Sequence, residues 1–257
     1  MVARRRLDAE LVRRGLTQSR AQAHALIDAR RALVNGAIAD KPARLVAPAD
    51  NIVVSGPPQR FVGRGGVKLD GALEHFGVDV TGLRVLDCGA STGGFTDCLL
   101  QRGARMVIAL DVGHGQLHPK LRDDPRVTVL ERTNIRHATS DTIAGPVDAT
   151  VADVSFISLT TVIPTLVSLC KPGSTMVLLV KPQFEAGRVE VSRGRGVVTE
   201  PATHDRVRAS IETALLAAGC DVFGWVDSSL LGGDGNKEFL VHARTRPSAS
   251  RRCRVIP

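Results

Sequence analysis

From Arg84 onward, short apolar runs rich in β-branched residues alternate with helix-like segments. Arg84–Cys88, Met106–Leu110, Val127–Leu130, 149–152 and 176–180 have the length and composition of strands. Between them, Gly94–Gln101 and 159–169 read as helices, with Pro164 expected to kink the second. Residues 201–218 make a clearer helix, because Pro201 suits its first turn and Gly219 its end. Strands at 222–226 and 238–243 follow. This alternation predicts an α/β domain with a doubly wound sheet and an antiparallel edge strand.

The first 60 residues follow a different pattern. Leu7, Leu11 and Val12 share one helical face, and Gly15 can close that helix. Ser19 can cap a second helix bearing Ala23, Leu26 and Ile27. Asn35-Gly36 between apolar residues signals a hairpin, and 52–54 a further short strand. Ser55-Gly56-Pro57-Pro58 reads as a linker. The expected division is a small α+β head at 1–58, a connection at 59–65, a body at 66–246 and a basic tail at 247–257.

Composition sharpens this picture. Hydrophobic residues make up 43% of the chain but aromatics only 3%, so the core must be Val, Leu, Ile and Ala. The net charge of +8 is unevenly spread: +6 over residues 1–60, −3 over 61–243 and +5 over 244–257. A basic head and tail around a slightly acidic body suit a polyanionic partner such as nucleic acid. The five cysteines are odd in number and lack C-x-x-C spacing, so neither a disulfide framework nor a metal site is expected. No apolar run approaches the roughly 20 residues of a membrane span, and no signal core follows Met1. A soluble, cytoplasmic protein without stable membrane association is expected.

The chemistry centres on residues 87–96. A strand ending at Asp87-Cys88 enters Gly89-Ala90-Ser91-Thr92-Gly93-Gly94-Phe95, and a helix leaves it. Glycines allow close backbone approach to a ligand, and a helix start offers free N–H groups. Asp111 ends the next strand, where an acid can accept hydrogen bonds from ribose hydroxyls. An adenosyl cofactor fits this pattern. The dinucleotide spacing G-x-G-x-x-G is absent, but Gly89–Gly93 also matches G-x-S-x-G, the nucleophile elbow of α/β-hydrolases. On that alternative Ser91 is the nucleophile, and Gly63-Arg64-Gly65-Gly66 could form an oxyanion loop.

Charged residues stand at other strand ends. Asp153 closes one strand and Lys181 the next, followed by Pro182. In a doubly wound sheet both would face a ligand beyond the strand ends. Lys68 lies just before the sheet begins, and Glu238 at the start of the last strand.

Two resemblances follow from these residues. The head resembles the S-four-type (S4) RNA-binding domain through Arg6-Leu7-Asp8, Leu11 to Leu16, Ser19-Arg20, Ala23, Leu26-Ile27 and Val34-Asn35-Gly36. It departs from that domain at Arg30, where glycine is usual before the hairpin. Lys68, Asp153, Lys181 and Glu238 match in order the K-D-K-E tetrad of FtsJ-type ribose 2′-O-methyltransferases. The whole chain resembles the TlyA family of rRNA methyltransferases, also labelled hemolysins, with further motifs at 131–134, 151–158 and 180–185.

The resemblance implies a Rossmann-like methyltransferase sheet and S-adenosyl-L-methionine as cofactor. It implies 2′-O-methylation of cytidines in small-subunit (16S) and large-subunit (23S) rRNA, with ribosomal subunits as partners. It also implies a link to susceptibility to tuberactinomycin antibiotics. The expected cofactor residues are Asp87, Gly89, Ala90, Ser91, Gly93, Gly94, Phe95, Asp111, Asn134 and Asp153. The expected RNA contacts are Arg4, Arg6, Arg13, Arg14, Arg20, Arg60, Arg64, Arg188, Arg193 and Arg195. A free lysine has a pKa of about 10.4, so Lys181 could act as base if Lys68 and burial lower it. Asp153 would orient Lys181, and Glu238 would position Lys68 or the ribose. Arg60-Phe61-Val62 would be a connection that responds to RNA, with packing of Phe61 on the body as the alternative. A hydrolase and a membrane-active hemolysin remain the competing readings, and the oligomeric state is open.

Overall fold

The computed structural model describes residues 4–17, 20–56, 60–187, 194, 196–232 and 234–247. The chain forms two compact units, Met1–Gln59 and Arg60–Pro257.

The first unit holds β1 (Arg5–Arg6), α1 (Leu7–Arg13), α2 (Arg20–Asp28), β2 (Ala32–Val34), β3 (Ala37–Ile38), β4 (Leu45–Val46) and β5 (Ile52–Val54). β2 lies between β3 and β5, and β1 pairs with β4. Asn35 and Gly36 have φ of 53° and 82°, as a two-residue hairpin turn between twisted strands requires. Leu7, Leu11, Ala23 and Ile27 of the two helices pack on Val34 and Val46. The expected cap, Ser19, lies outside the described residues. Arg30 keeps the turn that glycine usually makes, by adopting φ of 58°.

The second unit opens with Phe61 and Val62 already buried. The Val62 N–H donates to Asp97 Oδ2 at 2.9 Å. The segment expected to connect head and body is thus held within this unit, and its first helix, α3 (Arg64–Phe76), begins inside that segment. Then follow β6 (Arg84–Cys88), α4 (Gly94–Gln101), β7 (Met106–Leu110), α5 (Pro119–Arg122), β8 (Val127–Leu130) and β9 (Val147–Ala152). α6 (Leu159–Ser168), β10 (Cys170–Val180), α7 (Pro182–Glu185), α8 (Pro201–Ala217), β11 (Cys220–Asp227) and β12 (Phe239–Thr245) complete it.

Seven strands form one sheet in the order β11-β12-β10-β9-β6-β7-β8. β8, β7, β6, β9 and β10 are mutually parallel, and β12 runs antiparallel to both its neighbours. The doubly wound sheet is as expected; its antiparallel strand lies one place in from the edge, which β11 occupies. Alternate residues point to opposite faces. Val85, Val177 and Leu179 pack with Leu69 and Leu73 of α3 and Leu99 of α4. Leu86, Leu178 and Val180 pack with Ile163 of α6 and Ile211 of α8.

α3 contains Gly65, Gly66 and Gly71, which weaken a helix by about 1 kcal/mol each relative to alanine. Phe61, whose Cβ and Cγ a side chain would strike, and contact with α4 explain Gly66. A Cβ there would stand 2.8 Å from the Gly94 carbonyl oxygen, and one on Gly94 would stand 2.9 Å from the Gly66 nitrogen. The two helix starts meet backbone to backbone. This brings Gly65 beside Asp153 at the end of β9, with Lys68 one turn further along α3.

Candidate active site

The chain leaves β6 toward β7 and β8, then returns to β9 on the other side of β6. Beyond this switch point lies a cavity of about 500 Å³, within the range of small-molecule sites. Four of the five parallel strand ends contribute to it. Gly89 and Ser91 follow β6; Asp111, Gly113 and Gln116 follow β7; Asn134 and Ile135 follow β8; Asp153, Ser155 and Phe156 follow β9.

Asp111 is held by backbone. Its Oδ2 accepts from the Ser91 N–H at 2.8 Å and its Oδ1 from the Gly113 N–H at 2.7 Å. Each oxygen keeps a lone pair for a ligand. Asn134 Oδ1 accepts from the Arg136 N–H at 3.0 Å, which directs the rest of its amide to the cavity wall.

A second cavity of about 180 Å³ shares Gly89, Ser91, Asp153 and Ser155 with the first, and adds Gly65, Ala90, Gly94, Phe95 and Lys181. Lys181 Nζ lies 2.5 Å from Asp153 Oδ1 and donates to Ser155 Oγ at 2.8 Å. Lys68 and Glu238 form a separate buried ion pair. The four charged residues thus make two pairs. Lys181–Asp153 lines the small cavity, and Lys68–Glu238 lies outside both linings.

The glycines of the loop mostly serve the protein's own packing. A Cβ on Gly89 would collide with the Asp153 carbonyl oxygen, and one on Gly93 with Leu121. Gly93 and Asp87 line neither cavity. Asp87 is fully buried and accepts a hydrogen bond from the Thr96 hydroxyl at 2.5 Å. Its Oδ1 has no hydrogen-bond partner among the described residues. Burial pushes its carboxyl up to about 7; the Thr96 bond opposes this, and the charges of Asp153 and Asp111 add to it.

Ser91 is a turn residue with φ of 47°, and its hydroxyl donates to Gln116 Oε1 at 3.3 Å. The histidines a hydrolase would need are engaged elsewhere: His204 with the Val198 carbonyl and His242 with Thr175. Ser91 does not cap α4, whose cap position is Gly93.

The head's arginines are held by acids. Buried Asp8 accepts from Arg6 at 2.9 Å and from Arg20 at 2.7 Å, and buried Glu10 from Arg13 at 2.6 Å. These bonds hold both carboxyls down, Glu10 to about 2 and Asp8 further still. Arg14 donates to Glu10 at 2.9 Å and to the carbonyls of Asp50 and Pro48 at 2.7 and 3.0 Å. It therefore clamps the turn before β5 instead of presenting a free guanidinium. Arg4 is exposed. In the second unit, Arg60 pairs with Asp70 and covers the Phe61 ring at 4.7 Å, and Arg64 donates to the Leu231 carbonyl at 2.8 Å. Arg188, Arg193 and Arg195 lie outside the described residues, as does 248–257 of the expected tail.

Sequence reasoning did not single out three residues here. Ser155 holds Lys181. Asn236, fully buried, joins the loop leading to Glu238 to Val198 and Gly196, at 2.8 and 2.9 Å. Phe156 is 92% exposed at the cavity rim with φ of 64°, its ring 5.2 Å from that of Phe184. An exposed aromatic just past a strand end, in a chain so poor in aromatics, was the available signal.

Residues 61–245 match the FtsJ-like methyltransferase family, and residues 5–52 match the S4 domain. A Mycobacterium tuberculosis protein named 16S/23S rRNA (cytidine-2′-O)-methyltransferase TlyA is 49% identical over 247 residues, 96% of this chain and 92% of that protein. Hemolysin A of Brachyspira hyodysenteriae is 38% identical over 92% of this chain and 98% of its own. A solved structure from Streptococcus thermophilus, described as a hemolysin, is 39% identical and superposes with a TM-score of 0.77, covering 96% of this chain and 90% of that one. With the two ion pairs at the strand ends and the cavity beside the glycine loop, these matches place the chain in the TlyA family of FtsJ-like methyltransferases, with an S4 domain ahead of the methyltransferase domain.

Proposed function

We propose that this methyltransferase uses S-adenosyl-L-methionine to methylate the ribose 2′-oxygen of cytidines in 16S and 23S rRNA, on ribosomal subunits in the cytoplasm. The observation that carries the reading is the Lys181–Asp153 pair, set in a small cavity that opens into the larger one beside the glycine loop. The target base and subunits follow the named activity of the Mycobacterium tuberculosis relative.

The larger cavity fits the cofactor. Asp111 offers lone pairs to ribose hydroxyls, and Asn134 offers an amide to the adenine edge. Asp111 and Asp153 line the cavities with carboxylates, which suits a ligand bearing a sulfonium and an ammonium. When bound, S-adenosylmethionine supplies an electrophilic methyl group, whose bond to sulfur breaks as the ribose oxygen takes it, leaving a neutral thioether.

Lys181 takes the proton from the ribose hydroxyl as the oxygen–carbon bond forms, and later passes it to water. Asp153 fixes its Nζ. Lys68, neutralised by Glu238, anchors α3 beside the small cavity. Phe156 and Phe184 offer a face on which the target base can stack once it leaves its helix. The S4 domain, with Arg6, Arg13 and Arg20, meets RNA phosphates.

Substituting Lys181→Ala should lower methyl transfer at least a hundredfold while cofactor affinity by calorimetry stays within a factor of about three. Mass mapping of rRNA from cells with and without the gene tests the substrate: a methylated cytidine must disappear with the gene. Turnover retained by Lys181→Ala removes the base from this scheme.

A further inference from the structure

Lys181 Nζ has two polar neighbours, and only Asp153, its ion-pair partner, belongs to the expected tetrad. The other is Ser155 Oγ, 2.8 Å from Nζ. Ser155 is a surface residue, and among the described residues Lys181 is the only hydrogen-bond partner of its hydroxyl. It lines both cavities and therefore stands on the ridge between them.

The loop that carries Ser155 is fixed to the segment that carries Lys181. Glu185 accepts from the Ser158 hydroxyl at 2.5 Å and from the Leu159 N–H at 2.7 Å. Phe156 meets Phe184 ring to ring. Asp153, Ser155 and Lys181 thus ride on two strand-end segments cross-linked on the far side of the lysine.

We infer that Ser155 is a positioning residue for methyl transfer, setting the direction of the Lys181 lone pair; this rests on Lys181 being the base. A neutral amine carries two N–H bonds and one lone pair. Ser155 accepts one N–H and the charge of Asp153, 2.5 Å away, draws the other, so the lone pair is left facing the small cavity. With Asp153 alone, Nζ turns about its last carbon–nitrogen bond and the lone pair points at the substrate in only part of the population. The cost falls on the chemical step, because a base must be aligned with the proton it removes.

The test uses the full chain, rRNA from a strain lacking the gene, and a labelled methyl group in single-turnover reactions. Ser155→Ala should slow methyl transfer about tenfold, the scale of one aligning hydrogen bond. Cofactor affinity and the RNA concentration giving half the maximal rate should stay unchanged. Ser155→Thr, which keeps the hydroxyl, should recover most of the rate. Full activity in Ser155→Ala, or a threonine variant as slow as the alanine one, overturns the inference. Lost cofactor affinity in Ser155→Ala overturns it too, by assigning the hydroxyl to the larger cavity. Lys181→Ala run in parallel separates the levels. If it stays active, the base assignment itself fails; if it is dead while Ser155→Ala is normal, only the role of Ser155 fails.

Discussion

Asp87 sits at the end of β6 with one oxygen bonded to Thr96 and its carboxyl raised to about 7. The unfolded chain would titrate it near 3.9. Between about pH 4 and 7 the folded state therefore holds more protons than the unfolded one, and stability falls as pH rises through that window. Asp87→Asn should flatten this part of the curve, read as the melting temperature against pH; an unchanged slope would assign the proton elsewhere. Arg30 makes the opposite kind of demand. A non-glycine residue at φ of 58° costs about 1 kcal/mol. Arg30→Gly should stabilise the head by about that much in urea titration. At this scale the sequence drew attention to four charged residues, three of them beside a strand end and Lys68 within α3. It did not show their pairing: Lys68 and Glu238 are 170 positions apart, and only the fold joins them.

The elements were legible in proportion to their hydrophobic pattern. Arg84–Cys88, Met106–Leu110 and Val127–Leu130 are strands with the bounds their apolar runs suggest. α6 continues through Pro164. α3 escaped notice because its glycines imitate a loop, and the reason for Gly66 lies in Phe61 and α4. That reason can be tested. Gly94→Ala places a methyl group against the Gly66 backbone and should destabilise the second unit by about 1–3 kcal/mol in urea denaturation. Because α3 carries Lys68, methyl transfer should fall as well, even at temperatures where the variant stays folded. A stable, fully active Gly94→Ala enzyme would show that the α3–α4 crossing is looser than the contact implies.

At the scale of the molecule, charge and function divide between the two units. Phosphate contacts release counterions, so RNA affinity should fall steeply with salt, and deletion of residues 1–59 should both weaken binding and flatten that dependence in filter-binding titrations. The head's acids add a pH limit. Asp8 and Glu10 are held below their unfolded values, so their contribution is complete above about pH 4 and is lost as pH falls through about 2. The isolated second unit should lack that acid transition. The basic head was legible from composition alone; that its arginines are ordered by buried carboxylates was not, since Asp8 and Glu10 read as ordinary surface acids of a short helix.

Those carboxylates also bear on how the head discriminates among polyanions. A long, free arginine side chain loses about 2 kcal/mol of rotational freedom when a ligand freezes it. Arg6, Arg13 and Arg20 have already surrendered much of theirs to Asp8 and Glu10. The acids also cancel charge that would otherwise attract any RNA from a distance. Such a surface gains little from a flexible strand that merely brings phosphates nearby. It gains most from a rigid one whose phosphates already match the spacing of the guanidiniums, as they do in a folded RNA.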